Sequence, residues 1–488
     1  MKAPLPLQSY PVRSTKQNAQ RLMNMYAVPD TAGGKTQVAL YPTPGLLEFG
    51  DTNGFVIRGM LEVRGTLYLV KDDKFGTMSS SGVFTSIGTL STSTGFVKMA
   101  ATFDEIIIAT GSTAYHYKIS TTTFSTISDV DFPANCSFIA ALDEYFIALK
   151  PSTDEFYLSA LSDGLTWSAL TFAAAETKSD NLVAALPLFQ ELWLFGELVT
   201  EIWFNTGAEF PFERQEGAFI NYGCLSANSV VMANNTAFWL GKSASGQRIV
   251  LTAENQLPKI ISNEAMHFQM ESYSTVSDAF AYSYQQLGHE FYVITFPTAN
   301  KTWAYDITTG LWHERNSINV ASGTPQPAYT RHRANAYAFA HNKHLVGDYR
   351  TGKVFELDLD TFFDDGTKII QRQIITPALA NQGRHLSVYS LELFAETGVG
   401  LLTGQGSDPQ VMLETSRDGG FTYGNARYAA IGAMGQYTKR IKWNQIGTAR
   451  DFVFRITVTD PIKWIVLGAE VELDAEAETP QSTNQGGQ

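Results

Sequence analysis

A two-strand unit that recurs along most of the chain restricts the possible folds more than any other feature. It is clearest at residues 192–207, which read LWLFGELVTEIWFNTG. Leu192 to Phe195 and Leu198 to Phe204 are short apolar runs, and Gly196 and Glu197 between them can form a tight turn. This arrangement predicts a β-hairpin. Both runs are apolar on both faces, so we expect the hairpin to lie between other sheets.

Related units follow one another at intervals of roughly 40 to 50 residues, the period of a β-propeller blade. A blade buries its faces only by packing against neighbouring blades around an axis. We therefore predict an all-β fold with a β-propeller of about seven blades. Six or eight blades also fit the spacing, and a series of stacked β-sandwiches is the alternative fold. The units occupy residues 56–87, 96–119, 138–161, 182–204, 229–252, 280–314 and 336–360.

The pattern changes on both sides of this repeated region. Six prolines before residue 50 favour an extended arm, because proline fixes φ and has no N–H to donate. After residue 366 the strands become longer and alternate in polarity, which predicts an additional C-terminal antiparallel β-sandwich domain. The predicted domains are an extended N-terminal arm at 1–50, the β-propeller at 51–365, the sandwich at 366–474 and a polar, disordered tail at 475–488.

The composition argues against several functional classes. Charged residues make up 17% of the chain, below the ~25% of ordinary soluble domains, which suits either extensive contact with other subunits or a large all-β monomer. The formal net charge is −13 and no Lys/Arg-rich run occurs, so tight binding to a phosphate backbone is not expected. Cys136 and Cys224 cannot form a zinc cluster or a disulfide framework and favour a reducing site of folding. Prolines interrupt the region where a signal peptide needs an apolar core, and no apolar run approaches the ~18 residues of a membrane span.

Two sequence motifs have both a chemical and a structural interpretation. Gly241–Lys242–Ser243 lacks the earlier glycine of a phosphate-binding loop and precedes a predicted strand, so we expect a β-turn. Residues 416–423, SRDGGFTY, resemble the Asp-box of sialidase-like propellers, and SDGLTW at 162–167 is an imperfect second copy. In that family the Asp of the box caps backbone donors in a hairpin turn, so both boxes are expected to be structural.

No set of residues predicts catalysis or metal binding. His332, His341, His344 and Asp348 lie close in the sequence, but His341 and His344 fall on opposite faces of a strand, whereas metal ligands must converge. No Gly-x-Ser-x-Gly elbow is present, and neither cysteine has a recognisable catalytic context. We predict no catalytic residue, no metal and no cofactor. Four tryptophans in apolar strands are expected to be core residues: Trp193, Trp203, Trp239 and Trp303.

Several segments, in their order along the chain, resemble a known family. Together they resemble the tail hub, or nozzle, proteins of short-tailed bacteriophages, which are also called packaged-DNA stabilisation proteins. The likeness extends over nearly the whole chain. The segments are YPVRSTKQNAQRLMNMYAVP at 10–29, YPTPGL at 41–46, TEIWFNTGAEFPFERQEGAFINYGCLSANSV at 200–230 with FWLGKS after it, TSRDGGFTYG at 415–424 and GQYTKRIKWNQIGTARDFVFRITVTDP at 435–461.

This resemblance implies a non-enzymatic component of the virion tail, synthesised in the host bacterial cytoplasm. It implies a homohexamer below the portal and its adaptor ring that helps retain packaged DNA and lets it pass during ejection. It also implies attachment of tailspikes or fibres and of a tail needle, without membrane insertion. An acidic balance suits such a conduit, because a repulsive wall does not hold DNA in transit. Two other classes stay open: a glycan-binding or glycan-acting propeller, and a propeller that scaffolds cellular partners.

The N-terminal segment is the predicted interaction element. Arg13, Arg21, Asn24 and Tyr26 lie in a stretch that is too rich in proline to fold alone. We expect these residues to contact a neighbouring subunit or the adaptor, partly through backbone pairing at a sheet edge.

Overall fold

The computed structural model describes residues 1–475, except residues 31, 32, 34, 35, 176, 179, 244, 320–327, 366, 367 and 382. The tail predicted at 475–488 lies outside the described residues, apart from the backbone of residue 475. The chain divides into two compact units: Thr43–Ile370, and Met1–Pro42 together with the segment that begins at Gln371. No helix in the described part of the chain is long and apolar enough to cross a membrane.

Short antiparallel strands make up nearly all of the unit Thr43–Ile370, which we describe as blades 1 to 7 in chain order. The chain begins with β1 (Arg21–Met23), β2 (Met25–Pro29), β3 (Val38–Pro42) and β4 (Gly45–Asp51). Blade 1 contains β5 (Ile57–Val63), β6 (Thr66–Lys71), β7 (Lys74–Met78) and β8 (Phe84–Thr89), and blade 2 contains β9 (Lys98–Ala101), β10 (Glu105–Ala109), β11 (Ala114–Lys118) and β12 (Thr123–Thr126). Blade 3 contains β13 (Ile139–Leu142), β14 (Tyr145–Leu149), β15 (Glu155–Ala160) and β16 (Asp163–Ala174). Blade 4 contains β17 (Leu182–Leu188), β18 (Glu191–Gly196), β19 (Thr200–Asn205) and β20 (Phe212–Ile220).

The remaining blades contain the same kind of sheet. Blade 5 contains β21 (Gly223–Cys224), β22 (Val231–Ala233), β23 (Thr236–Lys242), β24 (Arg248–Glu254) and β25 (Leu257–Ile260), and the helix α1 (Glu264–Glu271) follows it. Blade 6 contains β26 (Phe280–Gln286), β27 (His289–Phe296), β28 (Lys301–Asp306) and β29 (Leu311–Glu314). A separate hairpin of β30 (Asn316–Asn319) and β31 (Ala328–Arg331) follows. Blade 7 contains β32 (Ala334–Ala340), β33 (Lys343–Asp348) and β34 (Lys353–Asp358).

Strand β4 closes the ring of blades. It pairs antiparallel with β34, with Lys353 opposite Asp51 and Asp358 opposite Gly45. Blade 7 therefore takes its outermost strand from the chain that precedes blade 1. The first strands of neighbouring blades contact one another, and β32 of blade 7 contacts β5 of blade 1. The predicted β-propeller of about seven blades is confirmed.

The hairpin that dominates the sequence lies in the middle of the apolar core. Every residue from Leu192 to Gly196 in β18 is buried, and the first four residues of β19 are buried as well. One apolar cluster connects these strands to blades 3 and 5 on either side. The expectation that the hairpin lies between other sheets is therefore confirmed. The turn is displaced by one residue from the prediction: Gly196 N–H donates to the Val199 carbonyl at 2.8 Å, so Glu197 and Leu198 form the turn. The four tryptophans expected in the core are all buried: Trp193, Trp203, Trp239 and Trp303.

The second unit is the predicted antiparallel β-sandwich domain. One sheet has the order β1-β35-β41-β38-β39, with β36 beside β41, and the other has the order β2-β3-β42-β37-β40. Its later strands are β35 (Arg372–Ile375), β36 (Leu379–Ala380), β37 (Leu386–Ala395), β38 (Gln410–Ser416), β39 (Arg427–Ala430), β40 (Ile441–Ala449), β41 (Asp451–Val458) and β42 (Val466–Ala475).

The extended arm expected at 1–50 is corrected by the structure. Strand β1 pairs with β35, β2 pairs with β3 and β3 pairs with β42, so residues up to Pro42 belong to the sandwich unit. Strand β4 belongs to the propeller instead. The reason is that proline removes only its own N–H donor. β1 contains no proline, and the proline in each of β2 and β3 is the last residue of its strand.

A buried arginine holds blade 7 to the segment that follows it. Arg333 is 2% exposed and donates through Nε to Asp348 at 3.3 Å and through Nη2 to the same carboxylate. Its Nη1 donates to Asp365 Oδ2 at 2.6 Å. Because Asp348 is fully buried, removing the guanidinium would leave a carboxylate in the interior without its charged partner.

We expect Arg333→Ala to lower the free energy of unfolding of the propeller by about 3–5 kcal/mol, the usual effect of breaking a buried ion pair on one side. Urea denaturation followed by tryptophan fluorescence measures this change. The control is Arg64→Ala: this arginine is exposed and lies 4.3 Å from the Phe103 ring centroid, a contact worth about 0.5–1 kcal/mol. Equal losses in the two variants would contradict the role given to Arg333.

Candidate interaction surfaces

Two phenylalanine rings meet across the axis of the propeller. Phe96 precedes the first strand of blade 2, and Phe280 begins the first strand of blade 6. Blades 7 and 1 lie between those two blades in the ring, so the contact spans the axis. The ring centroids are 4.9 Å apart with an interplanar angle of 49°. Both rings line a cavity of about 420 Å³ whose other walls come from blades 1, 4, 5 and 7 as well.

Arg58 holds the loop that carries Phe96. Its side chain is 1% exposed. The guanidinium donates to the carbonyls of Thr92, Thr94 and Gly95 at 2.6, 2.6 and 2.7 Å. The guanidinium group is planar and holds its N–H donors in fixed directions. These three hydrogen bonds therefore fix the loop before Phe96 to strand β5 of blade 1.

Lys98 is a cation on the wall of the same cavity. Its Nζ lies 4.4 Å from the centroid of the Phe138 ring, within the range of a cation–π contact. Among the described residues no carboxylate lies within salt-bridge distance of this amine. Burial lowers the pKa of Lys98 to about 8, because desolvation disfavours the charged form.

The size of this cavity limits what can pass along the axis. A volume of about 420 Å³ is typical of a small-molecule site, at roughly 300–1,000 Å³. The major groove of duplex DNA is alone ~12 Å wide. Duplex DNA therefore cannot pass along the axis of a single propeller.

The four interaction residues predicted in the N-terminal segment lie in different environments. Arg13 is exposed and Arg21 is half-buried on β1. Asn24 is 2% exposed and has a φ of 55°, and its Nδ2 donates to the Gln371 carbonyl at 2.8 Å. It forms the corner at which the chain leaves one sheet of the sandwich for the other. Tyr26 is buried beside Tyr41, with ring centroids 6.3 Å apart. Contact with a partner stays a prediction for this set, and Arg13 and Arg21 are its accessible members.

The Asp-box-like sequence forms the expected hairpin turn. The Asp418 carboxylate accepts hydrogen bonds from the N–H groups of Phe421 and Thr422 at 3.0 Å each, and from Thr422 Oγ1 at 2.6 Å. Ser416 Oγ donates to it at 2.7 Å. These bonds, first of all those from Thr422, hold the pKa of Asp418 well below its usual range. In the imperfect copy Asp163 accepts from Leu165 N–H at 3.0 Å and from Thr166 Oγ1 at 2.7 Å.

The histidines considered as metal ligands have separate roles. His341 lies in a turn with a φ of 52° and its Nε2 is 3.0 Å from the Met78 carbonyl. His344 Nδ1 is 2.9 Å from the Tyr337 hydroxyl. Burial, followed by the charge of nearby arginines, lowers the pKa of His332 to about 3. Among the described residues no group of three His, Cys, Asp or Glu side chains is arranged to hold a metal ion.

The remaining sequence motifs also have structural roles. The β-turn expected at Gly241–Lys242–Ser243 is displaced: Gly241 and Lys242 lie in β23, and Gln247 N–H donates to Ser243 Oγ at 3.1 Å after the strand ends. Burial raises the pKa of the Cys136 and Cys224 thiols to about 12, which keeps both protonated at neutral pH.

A basic surface lies where two edge strands of the sandwich meet. Strands β39 and β40 end their respective sheets and contact each other. Residues 417–450 contain six basic side chains and one acidic side chain. Arg440 pairs with Glu392 at 2.5 Å and Lys442 lies 3.6 Å from Glu472. Lys439 and Arg450 are exposed, and within the described structure no carboxylate lies within salt-bridge distance of them. We call the six cations the basic edge: Arg417, Arg427, Lys439, Arg440, Lys442 and Arg450.

Most of the net negative charge of the chain lies in blades 3 and 4. Residues 129–216 contain fifteen acidic and three basic side chains, a net charge of −12 in a chain whose total is −13. Strand β20 ends the sheet of blade 4. Glu209, Glu213 and Glu216 on and just before this strand are exposed, and in the described structure no cation lies within 4.0 Å of them. We call β20 with these three residues the acidic outer strand.

Neither the axial contact nor the segregation of charge was among the features predicted from the sequence. The Phe96–Phe280 pair joins residues far apart in the chain, so no local pattern indicates it. The charge segregation was visible in the sequence, because a count over a moving window separates residues 129–216 from residues 417–450. The net charge of the whole chain conceals it.

Comparison with known proteins identifies one family for both units. The family model described as "Bacteriophage P22 Gp10, beta-propeller" matches residues 10–362. The model described as "Bacteriophage P22 Gp10, beta-sandwich" matches residues 371–474. Among individual curated proteins, none matches the chain.

Several solved structures are similar to parts of the chain. The computationally designed Ika8 protein is 12% identical, with 70% of this chain and 99% of that chain covered and a TM-score of 0.38. YCF48 bound to D1 peptide is 12% identical, with 65% and 97% covered and a TM-score of 0.38. The extracellular domain of BT4673 from B. thetaiotaomicron is 10% identical, with 80% and 47% covered and a TM-score of 0.41. At these TM-scores the likenesses carry no functional argument.

We expect the Lys98 amine to titrate near pH 8, because burial beside Phe138 disfavours its charged form. Reductive ¹³C-methylation followed by NMR titration measures this, and Lys98→Met assigns the resonance. Lys259 is the control: its pKa is raised by Glu254, so it should titrate above the usual ~10.4 of lysine. If Lys98 titrates with the other lysines, its environment is not the one described.

We expect Asp418→Ala to destabilise the sandwich by about 1–3 kcal/mol, because several donors lose their acceptor. The exposed Asp408→Ala is the matched control and should change the stability by less than about 0.5 kcal/mol. Since the pKa of Asp418 is lowered in the folded state, the difference from wild type should be complete above pH ~4 and shrink as the pH falls further. Chemical denaturation at several pH values tests this, and a difference that grows on acidification would contradict it.

Proposed function

The chain belongs to the family of bacteriophage P22 Gp10 and is a structural protein of the phage tail, and from this premise we propose that six copies form a tail hub, or nozzle. The hub extends the DNA channel below the portal and its adaptor ring. It helps retain packaged DNA, lets the DNA pass at ejection, and gives attachment points for tailspikes or fibres and for the tail needle. The protein is synthesised in the host cytoplasm and joins the virion there.

The observation that carries this proposal is the family match over both units. The two matched ranges, 10–362 and 371–474, follow each other with a gap of eight residues. The chain therefore has the domain order of the family and not merely a propeller, a fold that serves many unrelated functions.

The closed propeller axis supports a channel between copies. Phe96 and Phe280 meet across the axis, and the cavity there has a volume of about 420 Å³. A single chain thus has no passage for duplex DNA through its propeller. A ring of copies around a common axis provides a wide channel without any change in the propeller itself.

The charge of the chain supports passage of DNA without tight binding. The net charge is −13, and a surface of the same sign as the phosphate backbone repels DNA. Tight binding would need clusters of Lys and Arg on phosphates. DNA can therefore move past such a surface while the ring that surrounds it confines it.

A non-enzymatic role forms part of the proposal. The Asp418 carboxylate is occupied by the hydrogen bonds of its own turn, and both thiols are buried and protonated at neutral pH. The Asp-box-like turns are the one feature that favours the alternative, a glycan-binding or glycan-acting propeller. That alternative predicts a sugar ligand and no attachment to the adaptor.

We expect the purified protein to run mainly as a monomer or small oligomer, because its net negative charge keeps free copies apart. On phage particles that carry the adaptor but lack this protein, it should add as six copies. Mass photometry of the free protein and electron microscopy of the particles measure both states. A stable dimer or tetramer that never adds to the adaptor would overturn the hub proposal in favour of the glycan-binding alternative.

A further inference from the structure

We infer that the acidic outer strand of one copy binds the basic edge of a second copy of this chain, so that copies join head to tail. The inference rests on the proposed function, since it assigns the surfaces through which the copies of the hub contact one another.

The two surfaces are complementary in charge. Glu209, Glu213 and Glu216 of the acidic outer strand have no cation within 4.0 Å in the described structure, while Lys439 and Arg450 of the basic edge have no carboxylate within that distance. The segments that carry them have net charges of −12 and +5. Surfaces of opposite sign accelerate association and suppress wrong partners, whereas surfaces of equal sign repel. Two copies therefore attract only when unlike surfaces face each other.

Exposed apolar side chains accompany the charges on both surfaces. On the basic edge, Tyr428, Met434 and Tyr437 are 62%, 53% and 73% exposed. On the acidic outer strand, Phe219 is 45% exposed. Aromatic side chains, Met and Arg are enriched in protein–protein interfaces. Each surface thus combines charge for orientation with apolar area for affinity.

The contact is made through side chains, because the free edge of β40 is covered. Arg427 donates to the carbonyls of Gln445, at 3.3 Å, and of Asn444. Arg417 Nη2 donates to the Ile446 carbonyl at 2.7 Å. These arginines occupy acceptors in the middle of β40 that an added strand would need. Charges on an edge strand are a usual protection against strand addition, so the edge is suited to a charged partner surface.

The two surfaces differ, and this determines the kind of assembly. An interface that joins one surface to a different surface is heterologous, and its repetition gives a closed ring or an open filament. An interface that joins a surface to itself would give a dimer instead. The head-to-tail contact is therefore compatible with a ring of six, and a self-complementary patch would not be.

Charge reversal of each surface tests the inference. Variant X carries Glu213→Lys and Glu216→Lys, and variant Y carries Lys439→Glu and Arg450→Glu. Each variant alone then carries charges of the same sign at positions 213 and 216 and at positions 439 and 450, so its self-association should weaken by at least about tenfold. A mixture of X and Y again brings unlike charges to these positions and should associate within about threefold of wild type. Sedimentation velocity at low salt over a range of protein concentrations up to about 100 µM measures association, which should weaken at higher salt.

The control variant carries Glu264→Lys and Glu271→Lys, two exposed carboxylates on α1 outside both surfaces, and should associate like wild type. Circular dichroism checks that all variants fold. Unchanged association of X and of Y, or a mixture that stays dissociated, overturns the inference. If wild type forms hexamers on adaptor-bearing particles and X and Y do the same, the hub proposal stands and this interface is wrong. If wild type associates neither alone nor on those particles, the hub proposal fails and this inference fails with it.

Discussion

The antiparallel pairing of β4 with β34 is the interaction on which the rest of the architecture depends. It closes the ring by giving blade 7 an outer strand from the chain before blade 1. The approach is close: a Cβ on Gly45 would lie 2.0 Å from the Thr361 carbonyl oxygen, so this position requires glycine. Because the chain enters and leaves the propeller at blade 7, the segments before Thr43 and after Ile370 are available to one domain. They form the sandwich, in which β1 pairs with β35.

The local part of this fold could be predicted from the sequence, and the long-range part could not. A hairpin is specified by apolar runs and a turn a few residues apart, as in β18 and β19, and its repetition indicates blades. The partner of β4 lies about 300 residues away, as the pairing of Asp51 with Lys353 shows. A periodic pattern in the sequence does not indicate which strands pair across so many residues. The interpretation of residues 1–50 as an arm was wrong for the same reason, since the strands that pair with β1 and β3 lie beyond residue 370.

In the candidate interaction surfaces, too, the local features could be predicted from the sequence and the long-range features could not. The turn at Asp418 was predictable because its donors lie within four residues of the carboxylate. The roles of Asn24 and Tyr26 were not, because their burial depends on strands far along the chain. Charge is an intermediate case. The total of −13 suggested uniform repulsion between copies, yet nearly all of it resides in residues 129–216, and residues 417–450 have the opposite sign. Attraction and repulsion between copies therefore depend on orientation.

The closed axis and the separated charges together suggest that a channel for DNA forms between copies of the chain. Arg58 fixes the loop before Phe96 from within the propeller, and Phe96 meets Phe280 across the axis. The axis of the propeller is thus closed to duplex DNA, so a channel for DNA would have to lie between copies. Packed blades resist deformation, because close-packed interiors have low compressibility. A rigid block with unlike charged surfaces can be placed repeatedly around a channel, and the width of that channel is then set by the contacts between blocks. The passage of DNA would depend on assembly rather than on any opening within a single chain.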